Sequence, residues 1–149
     1  DLSDNGNDVR IRVTGILIRG NRLLLIAHKK NDEIYWLLPG GGVDYGESLH
    51  EALMREFMEE LNISVEINDV ALISDSIDPS GDRHVVNICF LCTFKTGDFV
   101  LGEDERLYDF RFFDRDELAG VEMFPPINND LINIINGKVK ERYIGKLWK

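Results

Sequence analysis

The feature that most constrains the fold is one amphipathic helix, which the sequence predicts over Leu49–Leu61. Ser48, followed by Glu51 three residues later, has the pattern of a capping box that starts a helix. Asn62 suits the left-handed conformation that ends many helices. At about 100° per residue, four apolar side chains share one stripe: Leu49, Leu53, Phe57 and Leu61. The rest of the chain must therefore offer this stripe an apolar surface.

Short runs with the composition of β-strands precede and follow this helix. They alternate apolar and polar residues, or are rich in β-branched and aromatic residues, and turn residues separate them. The predicted strands are residues 9–14 continuing through 15–18, then 22–28, 33–38, 65–74, 84–94, a short piece around Phe99, and 108–113. Pro39 and three glycines close the third run and open a loop that leads into the helix.

Two further helical segments are predicted near the C-terminus. Residues 114–118 suggest a short turn, and residues 126–136 a helix, since Pro126 suits a first turn and Gly137 a C-terminal cap. Strands on both sides of one central helix describe an α/β fold in which helices cover both faces of a mixed sheet. No repeat or linker divides the sequence, so we predict a single domain over residues 1–149.

Charge and hydropathy exclude several classes of function. The net charge of −10 opposes an extended nucleic acid as ligand, and a phosphate-rich substrate would need a divalent cation. No apolar run approaches the roughly eighteen residues of a membrane span, and the polar, acidic residues 1–8 are unlike a signal peptide. We therefore expect a cytoplasmic protein that has no membrane partner.

The two cysteines, Cys89 and Cys92, have the spacing of a redox or zinc pair. They lie, however, within a predicted strand, where residues three apart point to opposite faces about 10 Å from each other. That separation exceeds the limit of about 7 Å for a disulfide. We expect two unreactive thiols in the core.

Three glutamates of the central helix border or overlap its apolar stripe. Measured from Leu49, Glu60 falls at about 20°, Glu56 at about 340° and Glu59 at about 280°. A solvated acidic face would not lie there, and like charges one turn apart repel more strongly at low dielectric. A hard divalent cation such as Mg²⁺, which prefers oxygen ligands, would remove the repulsion.

Neighbouring residues can complete such a site. Arg55 lies four residues before Glu59, where it can orient that carboxylate, although an ordinary helix ion pair explains it equally well. Gly40, Gly41 and Gly42 let the backbone approach a ligand closely, and a carbonyl in this loop could join the metal shell.

The spacing of these residues resembles the Nudix box. Five residues separate the glycine from the first glutamate, seven more precede the arginine, and an acidic pair follows. The matching residues are Gly41, Glu47, Arg55, Glu56, Glu59 and Glu60. Asn62 stands where the family usually has glycine, and both residues serve a left-handed cap. The segments WLLPGGG and RFFDRDEL also look like family segments, so the resemblance spans most of the chain.

The resemblance implies a Nudix-type α/β/α sandwich and a hydrolase that directs water at phosphorus in a nucleoside diphosphate linked to another moiety. It implies Mg²⁺ or Mn²⁺ bound by Glu56, Glu59, Glu60 and the carbonyl of Gly41. By the same resemblance, Glu47 supports the metal site or the helix, and Arg55 orients Glu59. A bound cation can neutralise the diphosphate and activate water, in agreement with the acidic helix.

The general base and the substrate contacts have weaker support. Family members often take a base from a later loop, and the acids there are Glu103, Asp104, Glu105 and Asp109. Among these acids we favour Glu105 as the base, and a merely solvated acidic loop is the alternative. Arg83 can meet a phosphate, and Tyr35 or Trp36 can place a ring against a base, although core packing explains such rings as well. His84 is a phosphate contact or a structural residue.

Pro79 lies sixteen residues beyond Ile63, similar to the proline of ADP-ribose-cleaving members, although a turn also explains it. We therefore expect hydrolysis of ADP-ribose or a nucleotide sugar. The alternatives are removal of pyrophosphate from ordinary or oxidised nucleoside triphosphates, and nucleotide binding without catalysis. The family also suggests a homodimer. The apolar residues of the tail dock on the domain itself or on a second subunit: Tyr143, Ile144, Leu147 and Trp148.

Overall fold

The computed structural model describes residues 8–138 and 141–148. These residues form, in chain order, β1 (Arg10–Arg19), β2 (Arg22–Lys30), β3 (Glu33–Leu37), β4 (Gly40–Gly42), α1 (Leu49–Leu61), β5 (Ser64–Ile77), β6 (His84–Thr96), β7 (Leu107–Phe113), α2 (Arg115–Gly120), α3 (Asn128–Ile135) and β8 (Tyr143–Leu147). The acidic N-terminal segment that differs from a signal peptide lies outside the described residues, apart from Asp8.

The strands form a mixed sheet in the order β3-β2-β1-β6-β5-β8, while β4 pairs with β1 and β7 pairs with β2. β1 and β6 run parallel, as do β5 and β8. The remaining strand pairs of the described chain are antiparallel. The predicted mixed sheet is confirmed.

Successive residues of the central strands supply two cores. Along β1, Val13 and Leu17 pack in the cluster that contains Phe57 of α1, whereas Ile16 packs with Leu118 of α2 and Leu131 of α3. Because side chains alternate across a strand, helices cover both faces of the sheet. This arrangement confirms the predicted α/β/α sandwich.

Helix α1 has the predicted boundaries. Glu51 N donates to Ser48 Oγ at 3.0 Å and Ser48 N donates to Glu51 Oε1 at 2.8 Å, which completes the capping box. Asn62 ends the helix at φ 59° and ψ 34°, the left-handed conformation. A Cβ added at Gly15 of β1 would lie 2.5 Å from the ring of Phe57, so this glycine lets the helix pack closely on the sheet.

The expected strand around Phe99 is wrong, because residues 97–100 have no strand structure. Phe99 instead stacks on Phe94 and on Phe110, each with ring centroids 5.6 Å apart. The backbone that follows provides a hydrogen-bond donor for a carbonyl in the last turn of α1, since Gly102 N donates to Glu60 O at 2.9 Å. The apolar character of this segment therefore reflects side-chain burial rather than strand pairing.

The three glycines expected in a loop form the short strand β4, in which Val13 pairs with Gly41 and Thr14 with Gly40. A Cβ at Gly40 would lie 2.0 Å from Val13 O, so only glycine allows this approach to β1. This pairing matters for function because it holds the glycines against β1, where they also contact α1 through Glu60.

The other predicted elements occur with small changes in length. β5 and β6 are longer than predicted, and α3 begins two residues later than expected. Gly137 follows α3 at φ +75°, as expected for a residue just beyond a helix end. α2 begins with a capping box between Asp114 and Glu117, which confirms the predicted helical turn.

Cys89 and Cys92 are free and buried, and each belongs to a different core cluster. Burial raises the pKa of Cys89 to about 11 and that of Cys92 to about 12. These contacts confirm two core thiols on opposite faces of β6.

The C-terminal tail docks on its own sheet, because β8 pairs with β5 and places Leu147 beside Ser76. Leu147 and Ile144 pack against the second core cluster. Val139, Lys140 and Lys149 of this tail lie outside the described residues. Within the described chain, the helices are too short or too polar to cross a membrane.

Candidate active site

Strand β4 brings the glycine backbone against two carboxylates of α1. Gly40 N donates to Glu60 Oε1 at 3.0 Å. A Cβ added at Gly41 would lie only 2.4 Å from Glu56 Oε2. Glycine at this position therefore leaves room for the carboxylate to lie against the strand. Two of the predicted metal ligands, Gly41 and Glu56, are next to each other.

Arg55 of α1 joins the helix to Glu47 in the segment that follows β4. Its Nε donates to Glu47 Oε2 at 2.7 Å, and its Nη2 donates to Glu47 Oε1 at 2.9 Å. Nη1 donates to Glu56 Oε2 at 2.9 Å and to Glu59 Oε1 at 3.2 Å. The expected contact with Glu59 is present, but the shorter, bidentate contact is with Glu47. These hydrogen bonds lower the pKa of Glu47 to about 2.

Glu60 is the most buried of the three acids, with 9% of its surface exposed. Burial, together with the charge of Glu56, raises its pKa to about 8. Burial also raises the pKa of Glu56, against the opposing effect of Arg55. The two carboxylates thus share a low-dielectric region that holds too little positive charge to ionise both easily.

Arg12 of β1 is a functional candidate that the sequence analysis missed. Burial lowers the pKa of its guanidinium, while the charges of Glu60 and Glu56 oppose that effect. Arg83 and Tyr35 belong to the same electrostatic group. Nη2 of Arg12 is buried and has no hydrogen-bond partner among the described residues. The signal in the sequence for this candidate was a charged residue within a strand whose neighbouring residues are buried.

Within the described residues, no three Asp, Glu, His or Cys side chains are arranged in this conformation as a group that could hold a metal ion. Glu56 and Glu59 both accept hydrogen bonds from Arg55, and the side chain of Glu59 is 58% exposed. The donor chemistry nevertheless fits a hard cation, because two carboxylates meet a glycine backbone and burial raises the pKa of both despite the charges of Arg55 and Arg12.

Two cavities share Arg83, and the first of them borders the site through Arg12, Gly42 and Glu47. The first, of about 740 Å³, is lined by Arg12, Gly42 and Glu47 as well as Arg83. The second, of about 490 Å³, is lined by Arg83 together with aromatic rings: Tyr35, Phe124 and Trp148. The predicted contacts Arg83 and Tyr35 therefore line one cavity.

The other two predicted substrate contacts, Trp36 and Pro79, are not among the residues that line this cavity. The Trp36 ring meets Phe113 edge to face, with centroids 4.8 Å apart, and packs against the second core cluster. Of the two neighbouring rings, Tyr35 is the one that lines the cavity. Pro79 lies in the turn between β5 and β6, where Asp78 N donates to Arg83 O at 2.9 Å. Its position is explained by turn chemistry.

The acidic loop before β7 is tied to the end of α1 through Gly102. Asp104 accepts from Arg106 Nη2 at 3.0 Å, and this contact lowers the pKa of Asp104 to about 2. Glu105 is exposed and, within the part of the chain described, makes no hydrogen bond or ion pair. The role of Glu105 as general base stays a prediction.

His28 is a second buried group that the sequence analysis did not single out. It lies on β2, with its ring 5.6 Å from the ring of Tyr35 in an edge-to-face contact. Burial, together with the charge of Arg12, lowers its pKa to about 4. At neutral pH it is therefore an uncharged support for Tyr35. His84 lies at the start of β6, opposite Ile77.

Comparison with known proteins agrees with this geometry. The model of the NUDIX domain matches residues 9–135. An ADP-ribose pyrophosphatase of Methanocaldococcus jannaschii is 32% identical over 109 residues, which cover 72% of this chain and 63% of that protein. An RNA pyrophosphohydrolase of Ruthia magnifica is 40% identical over 52 residues, which cover 35% of this chain and 29% of that protein. The matched part is less than two thirds of either relative.

A solved structure shows the same architecture. The crystal structure of a MutT NUDIX hydrolase from Burkholderia pseudomallei superposes with a TM-score of 0.74 at 28% identity. The match covers 83% of this chain and 96% of that one. The similarity therefore extends over nearly all of that structure.

Proposed function

The chain belongs to the NUDIX family, and from this premise we propose that it is a metal-dependent pyrophosphohydrolase. The proposed substrate is a nucleoside diphosphate joined to a second moiety, with ADP-ribose or a nucleotide sugar as the preferred class. The products would be a nucleoside monophosphate and a sugar phosphate. Nudix enzymes generally use a divalent cation, and the donor set described above suits Mg²⁺ or Mn²⁺.

One observation carries this proposal: Glu56 and Glu60 are packed together against the glycines of β4. Their pKa values are raised by burial, so the two charges are poorly compensated by the protein alone. A structural role would be served equally well by apolar residues at these positions. A cation bound by Glu56, Glu59, Glu60 and the Gly41 carbonyl would supply the missing charge.

The metal ion, when bound, would neutralise the diphosphate and lower the pKa of the attacking water. The chain's own residues would hold the reacting groups in place. Arg55 fixes Glu56 through Nη1 and Glu47 through Nε and Nη2, so the helix and the preceding loop keep one geometry. The carboxylate of Glu105 would accept the proton of the water during attack on phosphorus.

Two arginines are suited to bind the diphosphate. The buried Nη2 of Arg12 has a hydrogen-bonding capacity that the described residues leave unused. Arg83 lines the same cavity as Arg12. Phosphate oxygens form strong charge-assisted hydrogen bonds with guanidinium groups. We assign Arg12 and Arg83 to the phosphates, with Arg12 nearer to the carboxylates.

The preference for ADP-ribose is supported by the extent of the match to the M. jannaschii relative, which carries that name. A second candidate, removal of pyrophosphate from a 5′-triphosphate, is supported by relatives named RNA pyrophosphohydrolase. The net charge of −10 opposes a long RNA, so a mononucleotide is the better form of that candidate. Nucleotide binding without hydrolysis is the third outcome.

A substrate panel tests the proposal. The purified protein is incubated with Mg²⁺ and ADP-ribose, a nucleotide sugar, nucleoside triphosphates or a triphosphorylated oligoribonucleotide, and the products are separated. We expect AMP and ribose 5-phosphate from ADP-ribose. Pyrophosphate from a triphosphate, with ADP-ribose left intact, would overturn the preferred substrate. Binding of these compounds without turnover would support a regulator instead.

Two glutamate variants test the site. Glu59→Gln and Glu60→Gln should each lower kcat about a hundredfold or more, because a lost metal ligand removes several kcal/mol of charge stabilisation. Glu66→Gln on the exposed side of β5 is the matched control and should retain activity. Equal activity in the wild type and both site variants would refute the assignment.

The cytoplasmic location and the homodimer stay predictions. Light scattering of the eluting protein during gel filtration would measure the oligomeric state directly. A monomer at micromolar concentration would contradict the dimer without affecting the proposed chemistry.

A further inference from the structure

The loop that leads into β7 is attached to the candidate active site at both of its ends. Gly102 N donates to the carbonyl of Glu60 at 2.9 Å, and Lys29 N of β2 donates to the carbonyl of Arg106 at 2.9 Å. A Cβ added at Gly102 would lie 2.1 Å from the carbonyl oxygen of Glu59, so glycine lets the loop approach α1 this closely. The segment between the two anchors therefore runs from the acids of α1 to β2.

A tight turn closes this segment. Leu107 N donates to the carbonyl of Asp104 at 3.0 Å, the hydrogen bond of a β-turn whose central residues are Glu105 and Arg106. Arg106 N also donates to Asp104 Oδ1 at 2.9 Å, the local contact that favours Asp at the start of a turn. Glu105 thus occupies the corner of a turn that the hydrogen bonds of its neighbours hold in shape.

The side chains of Asp104 and Arg106 close the turn a second time. Nε of Arg106 donates to Asp104 Oδ1 at 3.2 Å, and Nη2 donates to Oδ2 at 3.0 Å, so the contact is bidentate. The two side chains are exposed, and exposed ion pairs contribute little to stability. Two parallel hydrogen bonds from a planar guanidinium do, however, fix an orientation. The main effect of the pair is therefore on the geometry of the residue between its partners.

The electrostatic surroundings of Arg106 show that this turn faces the site. Its guanidinium interacts with Glu60 and Tyr35 as well as with Asp104. The charge of Arg106 lowers the pKa of the buried His28, and the charge of Asp104 opposes that effect. The pair therefore lies near the buried carboxylate of α1 and the two neighbouring rings of β2 and β3.

Hydrogen bonds divide the four acids of this region into two kinds. Asp104 is held within the turn, and Asp109 Oδ1 accepts from the amide of Phe110 at 2.8 Å. Within the part of the chain that the structure describes, Glu103 and Glu105 make no side-chain hydrogen bond or ion pair. Of these two free carboxylates, Glu105 is the one inside the closed turn. The structure thus gives one free acid a fixed backbone position.

We propose that Arg106 is a positioning residue for the reaction: together with Asp104 it holds the backbone of Glu105 so that the carboxylate of Glu105 is directed towards the acids of α1. This inference rests on the proposed function, in which Glu105 accepts the proton of the attacking water. A general base must lie within hydrogen-bond reach of the proton that it takes, and a misplaced base costs rate rather than affinity. Arg106 acts through Glu105 and does not touch the reacting atoms.

Two variants break the pair from opposite partners. Asp104→Asn keeps an oxygen for the amide of Arg106 but removes the charge and one acceptor, and Arg106→Gln removes the guanidinium. With ADP-ribose and Mg²⁺, we expect each variant to lower kcat about tenfold and to leave KM unchanged, because supporting groups are typically worth about 10- to 100-fold. A merely structural pair would not separate kcat from KM. Glu103→Gln, an acid of the same loop outside the turn, is the control and should retain kcat.

A double-mutant cycle tests whether Arg106 acts through Glu105. Glu105→Gln alone should lower kcat about a hundredfold, the lower end of the contribution of a positioned base. Adding Arg106→Gln to Glu105→Gln should then cause no further loss, since the group that Arg106 positions is already absent. Losses that multiply, or a raised KM in Arg106→Gln, would overturn the inference and indicate a direct contact between Arg106 and the substrate. Full kcat in Glu105→Gln would overturn it as well.

Hydrogen exchange of the Leu107 amide, measured without metal or substrate, provides a readout that does not depend on hydrolysis. We expect faster exchange in Asp104→Asn and Arg106→Gln than in the wild type, because the amide belongs to the turn that the pair closes. Unchanged exchange in both variants would overturn the positioning role.

The inference and the proposed function fail in distinguishable ways. If the wild type hydrolyses another compound of the substrate panel instead of ADP-ribose, that compound is used for the cycle. Hydrolysis by the wild type with full kcat in both pair variants would overturn the positioning role and leave the proposed function intact. A wild type that hydrolyses no compound of the panel would overturn both.

Discussion

Arg55 and Glu47 form a bidentate pair, with Nε to Oε2 at 2.7 Å and Nη2 to Oε1 at 2.9 Å. The pair joins the segment after β4 to the middle of α1. Because Nη1 of the same guanidinium also donates to Glu56, this one side chain aligns the loop, the helix and a proposed metal ligand. Loss of these two parallel hydrogen bonds should therefore disturb the geometry of the site without removing any carboxylate.

Arg55→Lys tests this relationship. A lysine ammonium keeps the charge but cannot donate the two parallel hydrogen bonds of a guanidinium. We expect kcat to fall about 10- to 100-fold, as for other groups that support metal ligands. Arg115→Lys, an exposed arginine bonded to Asn136, should be close to wild type. Full activity of Arg55→Lys would show that charge alone is sufficient.

Gly41→Ala and Gly42→Ala form a matched pair of adjacent changes. A Cβ at Gly41 would lie 2.4 Å from Glu56 Oε2, whereas one at Gly42 would have no heavy atom within 4 Å. We therefore expect Gly41→Ala to displace the carboxylate and lower kcat about a hundredfold, and Gly42→Ala to retain activity. Steady-state kinetics with Mg²⁺ and circular dichroism would check both. Equal activities of the two variants would show that a Cβ at residue 41 does not displace Glu56.

Arg12→Gln should weaken substrate binding. The change removes a buried donor whose charge-assisted hydrogen bond to phosphate is worth about 1.5–3 kcal/mol, so KM for ADP-ribose should rise at least about tenfold. Arg12→Lys should recover part of the loss because it restores the charge. The exposed Arg22→Gln on β2 is the control. If Arg12→Gln lowers only thermal stability and leaves KM unchanged, Arg12 has a structural role.

His28 should make the metal-free protein less stable in mild acid. Its folded pKa is lowered from 6.5 to about 4 by burial. Between these values the unfolded state binds the proton and the folded state does not, so its contribution is complete above pH 6.5 and falls as the pH drops towards 4. The loss should reach about 2–3 kcal/mol.

Urea unfolding of the wild type and His28→Gln at pH 7, 5.5 and 4.5 measures this effect. Subtraction of the two stability curves cancels the other titrating groups, provided that they keep their environments. The difference in unfolding free energy should change over this range in favour of His28→Gln at low pH. A difference that is independent of pH would contradict a buried neutral imidazole.

Local sequence was sufficient for the features that depend on neighbouring residues. The capping box of Ser48 and Glu51, the left-handed Asn62 and the opposite orientations of Cys89 and Cys92 all follow from short-range geometry and were confirmed. The position of Glu60 on the buried side of α1 was also accessible, since helical periodicity places it near the apolar stripe.

Features formed by residues far apart in the sequence were either missed or predicted wrongly. Phe99 was expected in a strand because its apolar character does not distinguish strand pairing from aromatic packing. The glycines were expected in a loop because their pairing partners on β1 lie 26 to 30 residues earlier in the chain. The electrostatic interaction between Glu60 and Arg12 of β1 was missed for the same reason.

The sequence by itself determined the central helix, its acids and their spacing from the glycines, because these relations lie within one continuous segment. Only the tertiary structure decided that Arg55 pairs most closely with Glu47, that Arg12 lies buried beside Glu60, and that Trp148 reaches the cavity of Tyr35. The physical reason is that side-chain partners, burial and local dielectric depend on which strands pair, and periodicity along one strand does not specify its neighbours.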